Sequence, residues 1–251
     1  VMIAIRSNFF YTRAVPCELW HFDRAKPAER KDQVLMLDAR NIYRKVTRKI
    51  YDFSPEQQAN LTAIVWLYRG QQQRFLGLVQ DYCTRLTAES AAITPALTAF
   101  ETKLTFSRAP LADFAASVAD LDTIPDEKKQ PFATALAEWA DAANAYVIDR
   151  TTLIEGLASF CNEFSTAPKT NDAQREARQA FDPLAVAERG LIKQVDLLYK
   201  FAARAAQLAN ELATDETASE FFDRRAASKL IKQLDEERKG SVEQLKAATY
   251  L

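Results

Sequence analysis

Short apolar runs at the start of the chain give way to long amphipathic stretches after residue 52. The runs at residues 1–6, 15–22 and 33–39 are rich in β-branched and aromatic residues and are bounded by polar or proline-containing connections. Runs of this length and composition predict strands. Three short strands do not make a well-covered sheet by themselves, so we expect other residues to pack against this sheet or extend it.

The amphipathic stretches carry start signals for helices. In DFSPEQQANL, Ser54 is a typical N-cap residue, Pro55 suits the first helical position and Gln57 completes a capping box. Proline lacks the backbone N–H and is harmless only in the first turn of a helix. Residues 95, 110, 125 and 183 are prolines and therefore predict four further helix starts, and Gly240-Ser241 with Gln244 predicts a second capping box.

A heptad seam is predicted in the last third of the chain. It consists of residues spaced alternately four and three apart: Leu191, Val195, Leu198, Ala202, Ala205, Ala209 and Leu212. Such a seam packs against a partner helix, and its alanines allow a close approach. The partner is either a helix of the same chain, with residues 216–239 as the candidate after a cap at Asp215, or a helix of another subunit.

Composition supports the helical interpretation and excludes several classes of site. Only 5 glycines occur among 251 residues, of which 48% are hydrophobic and 27% charged. Three scattered cysteines and one histidine give no disulfide framework and no metal site. The chain has no membrane-length apolar run, no signal-peptide pattern and none of the common nucleotide-binding or hydrolase motifs. We expect a reducing, cytoplasmic setting, no membrane contact and no complete catalytic site.

Charge is uneven along the chain. Residues 1–50 hold 11 Lys and Arg against 5 Asp and Glu, whereas the rest holds 22 against 29. The most basic run, RNIYRKVTRK at residues 40–49, can be a short helix with Arg40, Arg44 and Arg48 along one edge, or a solvated loop. A basic N-terminal part is compatible with a polyanionic partner.

Three segments of the sequence, in the same order along the chain, resemble a known family. VMIAIRSNFFYTRAVPCELWHFDR, QVLMLDARNIYRKVTRKIYDFS and IVWLYRG, within residues 1 to about 70, are similar to the region after the catalytic core in modification subunits of type I restriction-modification systems. These subunits are N6-adenine DNA methyltransferases. The resemblance implies a mainly α-helical chain in which residues 1–52 are the last strands of a Rossmann-like methyltransferase sheet and residues 53–251 are a helical domain.

The resemblance also implies a cofactor and partners. The parent would transfer a methyl group from S-adenosylmethionine to adenine in DNA, together with a specificity subunit, a restriction subunit and a second modification subunit. The family's glycine-bearing cofactor turn and its Asn-Pro-Pro-aromatic motif do not occur in this sequence. We therefore expect a C-terminal portion that has no catalytic residue of its own, binds no cofactor alone and is inactive alone.

The resemblance implies site residues, according to their position within the three matching segments. An aromatic residue ahead of the last strand stacks on the extruded adenine in such enzymes. Phe10 is the best match and Tyr11 the second, the alternative being that Phe9 and Phe10 only cover the sheet. Beside DNA, the basic run would contact phosphates through Arg40, Arg44, Lys45, Arg48 and Lys49. The seam residues Leu191, Val195, Leu198, Ala202 and Ala205 are the proposed contact for a partner helix.

Two other interpretations remain open. One is a non-enzymatic helical interaction module whose first 50 residues resemble the family's segments only by chance. The other is part of a single-chain enzyme that carries both nuclease and methylase domains. The coding sequence upstream of Val1 distinguishes them, because it would encode the missing cofactor turn, a nuclease domain or neither.

Overall fold

The structure, a computed structural model, describes residues 1–10 and 14–249 and is mainly α-helical. It divides into two compact units, Val1–Asp81 and Tyr82–Leu251, here called unit 1 and unit 2. The predicted boundary between residues 52 and 53 concerns the domains of a parent protein and stays a prediction. None of the helices in the described part of the chain is long and apolar enough to cross a membrane.

Unit 1 contains a three-stranded sheet at the predicted positions. Its strands are β1 (Met2–Ile5), β2 (Cys17–Trp20) and β3 (Met36–Asp38), in the order β2-β1-β3. Strand β1 pairs antiparallel with β2 and parallel with β3. A single 3₁₀ turn, Ala28–Arg30, lies in the connection between β2 and β3. The prediction of three short strands is confirmed, with each strand shorter than its apolar run.

The basic run forms the first strand and the turn of a β-hairpin, so of the two alternatives for residues 40–49, a short helix or a solvated loop, the helix is wrong. Strands β4 (Arg44–Lys45) and β5 (Tyr51–Asp52) pair antiparallel, with Arg44 opposite Asp52. The hydroxyl of Thr47 accepts hydrogen bonds from the backbone N–H groups of Lys49 and Ile50, which closes the turn. A spacing of four residues marks one face of a strand as well as of a helix, because four is a multiple of the strand period of two.

Helix α1 (Pro55–Tyr68) begins as predicted. Ser54 accepts a hydrogen bond from the backbone N–H of Gln57, whose side chain accepts one from the backbone N–H of Ser54. The helix ends at Tyr68, and Gly70, just beyond it, adopts a φ of +72° and donates to the carbonyl of Leu67. Left-handed backbone of this kind strongly favours glycine, so this residue stops the helix.

Four long helices follow, and three of the predicted helix starts lie inside them. The helices are α2 (Gln72–Ala119), α3 (Asp126–Glu163), α4 (Asn171–Leu212) and α6 (Arg224–Thr249), with the short α5 (Glu216–Ser219) before the last. Pro95 and Pro110 lie within α2 and Pro183 within α4; only Pro125 lies at a helix start, directly before α3. Asp215 caps α5 as predicted.

The buried stripe of α2 explains why its prolines do not end the helix. The stripe runs without a break past both prolines, at Ile93, Leu97, Phe100, Leu104, Ser107, Leu111, Phe114 and Val118. These positions alternate four and three apart, which is the heptad spacing of a buried seam. An internal proline costs about 3 kcal/mol, whereas burying one large apolar side chain contributes about 1.5–3 kcal/mol. Packing of the whole stripe therefore outweighs the two prolines.

Helices α2, α3 and α4 pack as antiparallel neighbours within unit 2. Phe114 meets Phe132 near the α2–α3 connection, and Phe100 meets Tyr146 farther away from it. Helix α4 also packs antiparallel to α3, with Gln194 donating to Asp149 at 2.6 Å. Short connections between antiparallel helices produce this arrangement.

Helix α6 closes the bundle. Arg238 forms a 2.6 Å ion pair with Asp196 of α4, while Ser241 donates to the carbonyl of Ala96 in α2. Gln244 donates to Glu89, also in α2. The predicted capping box at Ser241 and Gln244 is therefore wrong, since α6 continues through Gly240 and both side chains bind α2 instead.

The heptad seam of α4 faces helices of its own chain. Its members, Leu191, Val195, Leu198, Ala202 and Ala205, are all buried in the unit 2 core. Helix α4 packs on α3 and on α6, the helix that contains most of the candidate partner segment 216–239. The same-chain alternative is the arrangement in this structure, so these five residues do not form a surface for another subunit here. A subunit that docks on unit 2 would use other side chains.

Candidate nucleic-acid interface

Phe10 is presented on a tight turn directly after β1. Asn8 adopts a φ of 60°, a left-handed backbone in which Asn is enriched among non-glycine residues. The turn reverses the chain so that Phe9 packs on Phe53, with ring centroids 4.4 Å apart, and meets Phe10 edge to face at 5.8 Å. Phe9 is half-buried, whereas Phe10 is 41% exposed. Of the two neighbouring rings, the first anchors the turn and the second remains available.

The end of the hairpin braces this turn. The backbone N–H of Tyr51 donates to the carbonyl of Asn8 at 3.4 Å, and the ring of Phe53 receives Phe9. The ring of Tyr51 also lies 4.0 Å from the guanidinium carbon of Arg6, on the other side of the turn. Because the hairpin holds the turn at these points, the basic run and the aromatic turn form one local structure. Their proximity could not be predicted from their separation in the sequence.

Tyr11, the second choice for base stacking, lies outside the described residues. Its role stays a prediction. The structure does distinguish between Phe9 and Phe10, since only Phe10 is exposed.

Two of the five predicted phosphate contacts are already engaged. The guanidinium of Arg40 makes a bidentate pair with Asp38, at 2.8 and 2.7 Å, and that of Arg44 makes one with Asp52, at 2.9 and 2.7 Å. The hydrogen bonds from Arg40 lower the pKa of Asp38 to about 2, and those from Arg44 lower the pKa of Asp52. Both pairs are exposed to solvent, which weakens but does not remove their mutual attraction.

The other three cations of the run, Lys45, Arg48 and Lys49, are exposed. Within the described part of the chain none of their side chains forms an ion pair or a hydrogen bond. Arg48 and Lys49 lie in the turn of the hairpin and Lys45 lies in β4. These three side chains are therefore the ones available to a polyanion.

One end of one sheet face is apolar and uncovered, a feature that the apolar runs did not reveal by themselves; Glu18 and Asp38 lie toward the other end of the same face. The strand register places Met2, Trp20 and Met36 in one row. Trp20 is 57% exposed and stacks on Phe22, which is 83% exposed. Large exposed aromatic groups that lie together mark surfaces that contact another molecule or segment. The face agrees with the expectation that the three strands need further cover.

The described residues do not fit a cofactor or metal site. The two glycines of unit 1, Gly70 and Gly77, end α1 and lie within α2, so neither forms a strand-to-helix turn that could approach a cofactor. No group of three or more His, Cys, Asp or Glu residues in the described part of the chain is arranged to hold a metal ion.

Comparison with known proteins gives one match. Residues 1–91 of the 251 match the family model of N-6 DNA methylase. No curated protein and no solved structure matches the chain. The matched region contains all five strands, α1 and the first part of α2. The part of the chain that carries the aromatic turn and the basic hairpin is thus similar to the N-6 DNA methylase family.

Proposed function

We propose that this chain is the C-terminal part of the modification subunit of a type I restriction-modification system. The intact subunit would be a DNA adenine-N6 methyltransferase that uses S-adenosylmethionine. Two observations support this assignment: the order of the three matching segments and the family match over residues 1–91. The cofactor and the catalytic motif would belong to a part of the subunit other than these 251 residues, which alone should transfer no methyl group.

The small sheet supports an origin at the end of a larger one. Within the described residues β2 and β3 are both edge strands, and the apolar patch of Met2, Trp20 and Met36 has no cover. A three-stranded sheet with open edges and an exposed apolar patch is unfavourable alone. As the last strands of a methyltransferase sheet, the same strands could pair at an open edge, and the apolar patch could be covered.

The single observation that carries the proposal is the exposure of Phe10 on a braced turn within the matched region. An adenine must leave the duplex before its amino group can react, which costs a few kcal/mol of stacking and pairing. Stacking of a base on an aromatic ring returns about 1–3 kcal/mol. Phe10 offers such a ring, because Phe9 and Phe53 fix the turn while leaving Phe10 free.

The basic hairpin would hold the DNA backbone beside that ring. We propose phosphate contacts for Lys45, Arg48 and Lys49, whose charges are unengaged. Arg40 and Arg44 would act mainly by fixing the local structure through Asp38 and Asp52. Such contacts supply affinity and salt dependence but no sequence choice, which would come from the specificity subunit.

Unit 2 would assemble the complex. We propose that its outer surface contacts the specificity subunit and, in the full system, the restriction subunit and a second modification subunit. The heptad seam is buried, so docking would use apolar side chains that remain exposed on the long helices, such as Phe106, Ile148 and Val186. A closed bundle is a rigid support for contacts of this kind.

The proposal is tested in the intact methyltransferase assembly. Phe10→Ala should lower the rate of DNA methylation by between about 5- and 150-fold, since about 1–3 kcal/mol of stacking is lost from the extruded state. Phe10→Trp should retain most of the activity. The unfolding free energy of both variants should stay within about 0.5 kcal/mol of wild type.

Phe221→Ala is the control, because Phe221 is an exposed phenylalanine that lies neither on the turn nor on the uncovered part of the sheet. It should leave the methylation rate close to wild type. Equal losses of activity and stability in Phe10→Ala, or equal losses of activity in both alanine variants, would contradict a stacking role.

A non-enzymatic interaction module is the second candidate. The observation in its favour is that unit 2, the larger unit, is a closed helical bundle. The coding sequence upstream of Val1 distinguishes the two. A glycine-bearing cofactor turn and an Asn-Pro-Pro-aromatic motif in the same reading frame support the methyltransferase, and a stop codon there supports the module.

A further inference from the structure

Arg6 occupies an unusual position beside the aromatic turn. Its guanidinium carbon lies 3.9 Å from the ring centroid of Tyr43 and 4.0 Å from that of Tyr51. The two rings are nearly perpendicular, at 88°, and their centroids are 5.1 Å apart. The guanidinium therefore sits in the corner between two rings. Cation–π contacts of this kind fix both the position and the orientation of an arginine side chain.

The guanidinium has no acceptor among the described residues. Nε is enclosed and has no hydrogen-bond partner, and none of the recorded hydrogen bonds or ion pairs involves Nη1 or Nη2. Of the three nitrogens, only Nε is enclosed without a partner, and Arg6 as a whole is half-buried, so Nη1 and Nη2 are partly accessible. A positioned guanidinium with its terminal nitrogens open can donate two parallel hydrogen bonds to one oxyanion.

Neighbouring arginines show that the missing acceptor is specific to Arg6. Arg40 and Arg44 each have a carboxylate in bidentate geometry, from Asp38 and Asp52. These two carboxylates are thereby engaged, and the nearby hairpin adds the unengaged charge of Lys45 opposite Tyr51. A partly buried charge without a counter-ion is unfavourable. The surroundings of Arg6 therefore favour an anion from outside this set of residues.

The position of Arg6 indicates which anion. Arg6 precedes Phe10 by four residues, and four residues of chain span at most about 14 Å. Tyr51 contacts both sides of this stretch, through its ring on Arg6 and its N–H on Asn8. The guanidinium and the exposed ring of Phe10 are thus held within reach of the same short stretch of a nucleic acid strand.

We propose that Arg6 binds a backbone phosphate next to the base that stacks on Phe10. This inference rests on the proposed function and adds to it a binding residue outside the basic run. Tyr43 and Tyr51 position the guanidinium, and its terminal nitrogens donate to the phosphate oxygens. A base that has left the duplex carries its flanking phosphates with it, so a fixed donor four residues from the stacking ring would hold the extruded nucleotide at two points.

The experiment uses the full 251-residue chain and a fluorescein-labelled nonamer whose only base is a central adenine, the other eight positions being abasic. With one base, stacking on Phe10 fixes the register. Binding is measured by fluorescence anisotropy at about 20 to 200 mM KCl, a range over which phosphate contacts weaken strongly. Three probes are compared: all phosphates intact, the phosphate 5′ or 3′ to the adenine replaced by a neutral methylphosphonate, and a methylphosphonate at the end of the strand.

Wild-type protein should lose about 10-fold in affinity when one of the two flanking phosphates is neutralised, since a charged hydrogen bond contributes about 1.5–3 kcal/mol. The terminal methylphosphonate should have little effect. Arg6→Gln should bind the intact probe about 10-fold more weakly, lower the salt slope by about 0.7 and lose nothing further with the flanking methylphosphonate. Arg6→Lys should keep the slope but bind more weakly, because it lacks the two-point geometry.

Arg30→Gln is the matched control, because Arg30 also lies over a tyrosine ring of unit 1, that of Tyr68, at 5.8 Å. It should not alter the effect of the flanking methylphosphonate. If Arg6→Gln and each methylphosphonate weaken binding independently and their effects add, the proposal is overturned. It is also overturned if Arg6→Gln leaves the affinity for the intact probe unchanged. Absence of wild-type binding at about 20 mM KCl would overturn it as well.

Failure of this inference can be separated from failure of the proposed function. If Phe10→Ala weakens binding of the adenine probe and abolishes methylation while Arg6→Gln changes neither affinity nor slope, the phosphate contact is wrong and the methyltransferase assignment stands. If Arg6 couples to a flanking phosphate while Phe10→Ala methylates normally in the intact assembly, the phosphate contact stands and the stacking role is wrong.

Discussion

Unit 1 and unit 2 treat their large apolar side chains in opposite ways. In unit 2, Trp139, Tyr146 and the whole seam of α4 are buried among helices of the same chain. In unit 1, Trp20, Phe22 and Met36 are exposed. The helical bundle buries a continuous core, although Phe106, Ile148 and Val186 remain exposed on its surface, whereas the small sheet leaves Trp20 and Met36 uncovered. Apolar residues that a unit does not bury itself indicate where another molecule or segment binds.

The difference follows from the number of residues each architecture needs. An antiparallel bundle closes with four long helices, all of which lie in unit 2 for most or all of their length. A sheet needs cover on its faces and pairing at its edges, and three strands of three or four residues provide little of either. The contrast between a closed unit and an open one supports the functional assignment, which rests on Phe10.

The largest test of this contrast compares two tryptophans. Trp139 is 0% exposed in the core of unit 2, so Trp139→Ala should lower the unfolding free energy by about 3–5 kcal/mol. Trp20→Ala removes the same side chain from an exposed position and should change it by less than about 0.5 kcal/mol. Urea denaturation followed by circular dichroism measures both. Similar losses in the two variants would contradict the contrast.

A second test asks which helix occupies the α4 seam. Ala205 is fully buried, so Ala205→Leu should overpack the bundle and destabilise the chain by about 1–3 kcal/mol. Ala187→Leu makes the same change at an exposed position of α4 and should be nearly neutral. If Ala205→Leu leaves thermal stability unchanged but prevents binding of a specificity subunit, the seam belongs to the partner instead.

A third test separates engaged from unengaged cations of the hairpin. In the intact assembly, Arg48→Gln should reduce the salt slope of duplex binding by about 0.9, the value for one phosphate contact. Arg44→Gln should reduce the slope less, because Asp52 already engages that guanidinium. Equal changes of slope in the two variants, measured by fluorescence anisotropy from about 50 to 200 mM salt, would show that the ion pair does not decide phosphate contact.

The smallest expected effect is on pH dependence. Hydrogen bonds from Arg40 hold the pKa of Asp38 at about 2 rather than 3.8. A lowered carboxyl pKa stabilises the folded state above the unfolded pKa, and that contribution is lost as pH falls from about 4 to about 2. The pair is exposed, so the change in stability should be small. Carboxyl carbon shifts in NMR should titrate near pH 2 in wild type and near pH 4 in Arg40→Gln; equal midpoints would contradict the pairing.

Local signals in the sequence predicted the elements whose cause is local. The three strands, the capping box at Ser54 and the burial spacing of α4 all depend on neighbouring residues and were predicted correctly. Pro95, Pro110 and Pro183 predicted helix starts wrongly, because the packing of a long buried stripe overrides the local cost of a proline. The stripe of α2 was readable as alternating four and three spacing that passes through both of its prolines.

The candidate interface depends on contacts between distant residues and was only partly predictable. Phe10 could be identified from its position in the segments that resemble the family. The contacts of Tyr51 and Phe53 with its turn could not, because they depend on the hairpin, which was predicted as a helix or loop. Arg6 carried no signal in the sequence. An arginine is distinguished from its neighbours by which carboxylates and rings surround it, and only the fold brings Tyr43 and Tyr51 to Arg6.

The most direct test of the central claim is a photo-crosslink between DNA and the aromatic turn. A duplex that contains the methylation site of the intact assembly carries 5-iodouracil in place of the target adenine, and irradiation links this base to an aromatic side chain that it contacts. Mass spectrometry of the digested protein should place the crosslink at Phe10, and Phe10→Ala should remove it. A crosslink at Trp20 or Phe22, or an undiminished yield in Phe10→Ala, would contradict the assignment of this turn to the extruded base.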